Sequence, residues 1–253
     1  MAWTRIYDGD EPQRVNKWLA QTGVCSRREA EALIAEGAVV IDGERVTDVG
    51  RKIEPGQTLT LNDRASAKLD SQITVVINKP VGYVSSQPEG DQIPAARLIR
   101  PENLIGSAPH DLDTRASLAP LGRLDQDSHG LLILSEDGVL AKIVIGPEST
   151  LEKEYLVAVS GRVNRDAITK LRHGLELDGR HLKPAKVTLE TDGRLRFVLT
   201  EGRNRQIRRM CELVGLDVTD LTRLRIGPLT LGDLPEGKWR LMTPAERKAM
   251  AGN

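Results

Sequence analysis

The sequence predicts an α+β protein in two parts: a small αα-β unit, then a larger domain with a mixed, largely antiparallel sheet flanked by helices and loops. Three observations lead there. Two helix-period segments with marked stops precede short strand-period runs around an Asp-Gly turn, a polar stretch follows, and beyond it apolar runs of strand length outnumber helical ones. A chain of 253 residues has room for both parts. A unit of roughly 50 residues sits near the lower size limit for an independent core, and the remainder lies well above it.

Residues 1–12 are polar and net acidic and read as a loosely held tail. In RVNKWLAQTG, Val15, Trp18 and Leu19 fall at helical spacing, and Thr22-Gly23 supplies a stop. SRREAEALIAEG starts a better-marked helix: Ser26 and Glu29 match a capping box, Ala30, Leu33 and Ile34 form the apolar stripe, and Gly37 closes it. AVVIDGERVTD reads as two strands joined at Asp42-Gly43, and IEPGQTLTL adds a turn and another strand. This first unit is expected over residues 13–62, followed by a linker over 63–72 because NDRASAKLDSQ is poor in apolar residues.

The second domain is expected over residues 73–253. Ile73, Val75, Val76 and Ile77 mark a buried strand, which Lys79-Pro80-x-Gly82 breaks. Residues 87–120 are rich in Pro, Asp and Ser and read as irregular, with a short helix around AARLI and a mobile tip. Further strands are expected at GLLILS, KEYLVAV, KVTLE, RLRFVLT and LRIGPLTL, and helices at NRDAITKLRHG and NRQIRRMCELVG.

Composition excludes several classes. Thirty-six basic and 36 acidic side chains cancel, so no global charge announces a polyanionic partner. Cys25 and Cys211 are far apart and outside any C-x-x-C pattern, which argues against a disulfide scaffold and fits a reducing compartment. The start lacks the apolar core of a signal peptide, and no apolar run approaches a membrane span. A cytoplasmic protein without a membrane partner is expected.

Arg27 and Arg28 occupy the first turn of the capped helix, where the helix dipole disfavours cations by about 0.3–1 kcal/mol. An anionic partner would remove that cost, and Arg14 and Lys17 extend the patch; a solvated basic surface is the alternative. RVNKWLAQTGVCSRREAEALIAEGAVVIDGERV resembles an S4 domain, a small RNA-binding module, over about residues 13–61.

The segment PLGRLDQDSHGLLILSEDG carries Asp125, Asp127, His129, Gly130 and Glu136 at five places of the calcium-loop pattern D-x-[DN]-x-[DN]-G-x5-E. Its neighbours are wrong for calcium. The incoming segment contains Pro109 and Pro120 and no helical stripe, His129 replaces an oxygen ligand, and GLLILS reads as a strand. No metal is expected. An acidic turn before a buried strand still leaves Arg123 and Asp125 in want of partners or a task. Tyr155 and the cluster Arg203, Arg205, Arg208 and Arg209 could supply partners, with some arginines facing RNA phosphates and Arg208 turned inward toward a carboxylate.

NKPVG, GRLDQDSHGLLILSEDG, EKEY and GRNRQIRRM together resemble the pseudouridine synthases of the RsuA type, from about Arg14 to Thr243. GRNRQIRRMCE and KPVG are most like the RluF branch, which acts on large-subunit ribosomal RNA. The resemblance implies isomerisation of a uridine within RNA, with neither metal nor cofactor. It makes Asp125 the catalytic carboxylate, Arg208 the arginine held against it, and Tyr155 the ring that stacks on the target base. Arg123 would hold the flipped nucleotide or fill the space it vacates. RNA contacts are expected from Arg14, Lys17, Arg27, Arg28, Lys79, Arg203, Arg205 and Arg209.

Three routes stay open for Asp125: attack on the ring carbon, attack on C1′, or removal of a ribose proton. His129 departs from the family's usual residue, and the segment 87–120 is longer than in typical relatives. The expected partner is ribosomal RNA, with transfer RNA as a second candidate, bound by a monomer. The alternative is a noncatalytic S4-type RNA-binding protein of ribosome assembly.

Overall fold

Ser26 opens the best-marked helix as its spacing implies. Its hydroxyl accepts from Glu29 N–H (3.3 Å), and the Glu29 carboxylate accepts from Ser26 N–H (2.5 Å), the reciprocal pattern of a capping box. In the computed structural model, which describes residues 2–86, 88–107 and 118–252, helix α1 is Val15–Thr22 and α2 is Arg27–Ala35. Gly23 ends α1 with φ 77°, the left-handed conformation that glycine adopts without strain.

The chain divides into two units, Met1–Ile73 with Ser135–Lys142, and Thr74–Leu134 with Ile143–Asn253. In the first, β1 (Trp3–Ile6), β2 (Val39–Ile41), β3 (Glu44–Arg45) and β4 (Thr58–Leu61) form a sheet in the order β1-β4-β2-β3. Residues 1–12 are therefore more than a tail. The strand β1 pairs antiparallel with β4, and Tyr7 is buried with Trp18, their rings edge-on at 5.4 Å. The charge count of the segment hid one strand and one apolar anchor.

The expected linker is also corrected. Residues Asp63–Asp70 form helix α3, capped by Asn62, whose side chain accepts from Ala65 N–H (2.8 Å). Ala65 and the partly buried Leu69 pack on the core of this unit. Two apolar contacts and a cap suffice for so short a helix where a core is already present to receive it.

In the second unit, β5 (Thr74–Lys79), β6 (His129–Ser135), β7 (Lys153–Ser160), β8 (Lys186–Leu189), β9 (Leu195–Leu199), β10 (Asp217–Ile226) and β11 (Trp239–Leu241) run in the order β8-β9-β7-β10-β6-β5-β11. The pair β6–β10 is parallel, while β7 pairs antiparallel with both β9 and β10, so the sheet is mixed as expected. Helices α5 (Arg165–Arg172), α6 (Gln206–Glu212) and α7 (Pro244–Met250) belong to this unit, whereas α4 (Gly138–Ile145) begins in the first unit and ends in the second. Helix α7 went unread although Thr243 and Glu246 spell its capping box.

Gly130 shows why the parallel pair needs a glycine. It has φ 102°, and a Cβ there would lie 2.4 Å from the Arg223 carbonyl oxygen. The glycine that matched the sixth place of a calcium loop thus serves close strand approach. Glu136, at the twelfth place, accepts from Ile73 N–H (3.2 Å). Among the described residues no group of three or more His, Cys, Asp or Glu is placed to hold a metal ion. Nor is any helix among them long and apolar enough to cross a membrane.

Residues 87–120 hold more local structure than expected where they are described. Tyr83–Val84 pairs in parallel with Ile93–Pro94, and two 3-10 turns follow at Ala95–Leu98 and Pro101–Asn103. The expected mobile tip, which includes Pro109, lies outside the described residues.

Candidate active site

Asp125 sits in the turn between the short strand Ala119–Pro120 and β6, and neighbouring backbone groups clamp that turn from two sides. From the KPVG side, Gly82 N–H donates to the Gln126 carbonyl (2.8 Å). The Ser85 hydroxyl both donates to the Leu124 carbonyl and accepts from Leu124 N–H, each at 2.8 Å. From α6, Arg208 donates to the Asp127 carbonyl (2.7 Å) and to the Ser128 hydroxyl (3.2 Å). A carboxylate on a turn so held keeps its direction without occupying its own oxygens.

The cavity in front of this turn has a volume of about 430 Å³. Its wall includes Arg123, Asp125, Lys153, Tyr155, Arg205, Arg208 and Arg223. Tyr155 is the one aromatic residue on the described wall, 9 % exposed, packed into the core and bordering the space. Residues two apart on a strand share a face, which brings Lys153 to the same wall and turns Glu154 to the other side. There Glu154 pairs with Arg225 (2.7 Å) and Arg196.

The expected pairing of Arg208 with Asp125 is corrected. Arg208 directs Nη1 and Nη2 to the Asp127 carbonyl, the Ser128 hydroxyl and the Val218 carbonyl (3.2 Å), its Nε is buried without a hydrogen-bond partner, and its contact to a carboxylate is with Asp127 (3.3 Å). Among the described residues the cation nearest Asp125 is Arg205, Nη1 to Oδ2 3.8 Å, and Arg205 also grips both Asp127 oxygens at 3.0 and 3.2 Å. Burial works to raise Asp127, but hydrogen bonds from Arg205 and the charges of Arg208 and Arg205 outweigh it and hold its carboxyl below the usual range. Arg205 has φ 49°, an uncommon conformation for a residue with a side chain, costing on the order of 1 kcal/mol. A helical-wheel reading of GRNRQIRRM could not foresee this, because Arg205 lies just outside the helix.

Lys79 is likewise corrected as an RNA contact. It is 0 % exposed, and its ammonium donates to the Pro80 (2.9 Å) and Tyr83 (2.8 Å) carbonyls, tying the KPVG turn together from inside. Burial lowers its pKa to about 8. Arg203 donates to the carbonyls of Leu177, Arg180 and His181 at 2.8–3.2 Å, and Arg209 grips Asp178. Both therefore brace the hairpin of Glu176–Leu177 and Arg180–His181. Arg123 is exposed at the mouth of the cavity. In the first unit, Arg14, Lys17, Arg27 and Arg28 are all exposed, and none forms an ion pair among the described residues.

The cavity cations Lys153 and Arg223 escaped the sequence reading. Arg223 is 1 % exposed and donates to the carbonyls of Leu131 (2.7 Å) and Arg123 (3.2 Å), while its Nη2 is buried without a hydrogen-bond partner. Its register partner on β7 is Tyr155, beside an irregularity between Glu154 and Tyr155 that resets the pairing. The available signal was a charged residue two places after Leu221 on the buried face of a strand.

A strand-rich domain that presents a clamped carboxylate, one aromatic residue and several cations to a cavity, in a chain whose first unit has the pattern of a small RNA-binding module, has the equipment of an enzyme acting on nucleotides in RNA. Comparison with known proteins makes the class specific. Residues 73–213 match the family described as RNA pseudouridylate synthase, and residues 13–59 match the S4 domain. The dual-specificity RNA pseudouridine synthase RluF of Salmonella typhi is 35% identical over 239 residues, covering 94% of this chain and 78% of that protein. Ribosomal large subunit pseudouridine synthase B of Bacillus subtilis is 32% identical over 244 residues, covering 94% and 95%. A solved pseudouridylate synthase superposes with a TM-score of 0.65 at 27% identity, over 94% of this chain and 99% of that one. The chain belongs to the RNA pseudouridine synthase family, as an RluF-like member of the RsuA type with an S4 domain.

Proposed function

We propose that the chain converts a specific uridine of large-subunit ribosomal RNA to pseudouridine, with Asp125 as the catalytic carboxylate. The observation that carries this reading is the clamped turn, which aims Asp125 into a cavity walled by Tyr155, Arg205 and Arg223. The reaction breaks the N1–C1′ bond, turns the uracil and joins C5 to C1′; the hydrogen leaves C5 and one is gained at N1, so atoms balance. Asp125, beside Arg205, initiates it. Tyr155 supplies the flat surface on which the ring stays bound while it turns. Arg123, at the mouth, contacts the flipped nucleotide or fills its place.

The ribosomal target is supported by relatives such as ribosomal large subunit pseudouridine synthase B, and transfer RNA is the second candidate. The S4-like module, over residues 13–62, contributes Arg14, Lys17, Arg27 and Arg28 to phosphate contacts, and the catalytic domain extends over 73–253. A cytoplasmic monomer fits this role. The test is to map pseudouridine in ribosomal and transfer RNA of cells lacking the gene, restored with wild type or Asp125→Asn. One ribosomal uridine should depend on Asp125. Modification restored equally by both proteins refutes the assignment, and RNA binding without any lost position would favour a noncatalytic assembly factor.

A further inference from the structure

The cations around the cavity divide into those with partners and those without. On its wall Arg123 and Lys183 are exposed to solvent, whereas the more buried Arg203, Arg205 and Arg208 each bond a carboxylate or several carbonyls. Lys153 does not. It is half-buried on the wall, its one hydrogen bond is a long contact from Nζ to the Leu151 carbonyl (3.4 Å), and no carboxylate lies within ion-pair distance among the described residues. Its neighbour Arg223 is also a buried cation, with Nη2 unpartnered. Burial, with Arg223 beside it, pulls the Lys153 ammonium below the ordinary lysine range. Such a charge is costly to hold without an anion, so the bound substrate is the place to look for one.

The geometry points to the uracil ring: we infer that Lys153 is a further catalytic residue, donating a hydrogen bond to O2 or O4 of the target base as negative charge develops there. The inference rests on the Asp125 cavity being the active site. Lys153 and Tyr155 are two residues apart on β7, on the same face and about 7 Å apart along the strand. A base lying on the Tyr155 ring therefore has its edge within reach of a lysine side chain. All three routes open to Asp125 place an electron pair on the ring, either when N1–C1′ breaks or when a nucleophile adds to the ring carbon. The pair is delocalised onto the carbonyl oxygens and returns when C5 bonds C1′. Lys153 keeps its proton throughout, so no further reactant is needed. A fixed donor aimed at developing charge is the type of contribution that accelerates the chemical step more than it tightens binding.

Single-turnover kinetics of the full chain on 23S ribosomal RNA from cells lacking the gene separates the possibilities. Lys153→Met should lower the rate constant at saturating enzyme by about 100-fold, with the Kd for RNA within about 3-fold of wild type. Lys153→Arg, which keeps a cationic donor, should recover at least about 10-fold of that loss. An unchanged saturating rate overturns the inference, and a weakened Kd accompanying it would assign Lys153 to a backbone phosphate instead. Should the Met variant melt early, Lys153→Arg and Lys153→Gln decide by the same contrast of charged against neutral donor; equal rates for the two overturn the inference. Asp125→Asn is run alongside. Full turnover by that variant removes the active-site reading itself, whereas an inactive Asp125→Asn with a fully active Lys153→Met removes only the role of Lys153.

Discussion

Lys79 is a titratable group held where water does not reach, and it leaves a signature in stability. Its ordinary value is 10.5 and its folded value about 8, with burial as the main cause. Between those values the unfolded chain holds a proton that the folded chain has released, so stability rises with pH across the window from about 8 to 10.5. Below it, folding carries the cost of a buried ammonium, a shift of that size corresponding to about 3 kcal/mol. Urea unfolding of wild type and Lys79→Met at about pH 7.5 and about pH 10 measures it. The wild type should gain stability relative to the variant at the higher pH, and parallel profiles would refute the assignment. The cysteines offer no comparable signal near neutrality, since burial pushes both Cys25 and Cys211 up to about 12.

At the scale of elements, the hairpin Glu176–Leu177 and Arg180–His181 depends on α6 and the residues leading into it. Arg203 gives it three hydrogen bonds and Arg209 an ion pair with Asp178. Arg203→Ala should therefore loosen the hairpin by about 1–3 kcal/mol, read as faster amide exchange at residues 176–181. The salt dependence of RNA binding should not move with it, because these donors face carbonyls rather than phosphates. The double variant Arg27→Ala, Arg28→Ala tests the opposite case: its log Kd against log salt should lose a slope of about 1.4–1.8. A reversed outcome, with Arg203 setting the salt slope and Arg27 and Arg28 silent, would refute both placements.

Across the molecule, charge is balanced in number but ordered in space. Residues 194–225 contain eight Arg and four acidic residues, yet much of that excess is taken up by carboxylates brought in from other strands. Glu154 on β7 is the centre, held by Arg225 from β10 and Arg196 from β9. Burial opposes its ionisation, but the hydrogen bonds and charges of these arginines prevail and keep its pKa below the ordinary 4.5. The stability it contributes is present above that ordinary value and is lost as pH falls through the lower folded value. Thermal unfolding from about pH 6 to about pH 3 should thus fall more steeply for wild type than for Glu154→Gln. Equal slopes would show that the strands do not rely on this carboxylate.

The sequence by itself determined the two-part organisation, the capping box at Ser26, the strand character of β5, β6 and β7, and the family through short motifs such as GRLDQDSHG. These are local: a cap, an alternation and a turn are written within a few residues and are read there. It also marked Asp125 and Tyr155 as residues whose types suit one chemistry. Only the tertiary structure decided which cation stands nearest Asp125, that Lys79 points inward, and that Arg223 and Lys153 share the cavity wall. Those facts depend on segments distant along the chain meeting in register, on a left-handed Arg205 just before a helix, and on Gly130 letting two parallel strands close. Partner choice among several arginines is a contest of geometry and burial. A list of neighbours along the chain does not contain its outcome.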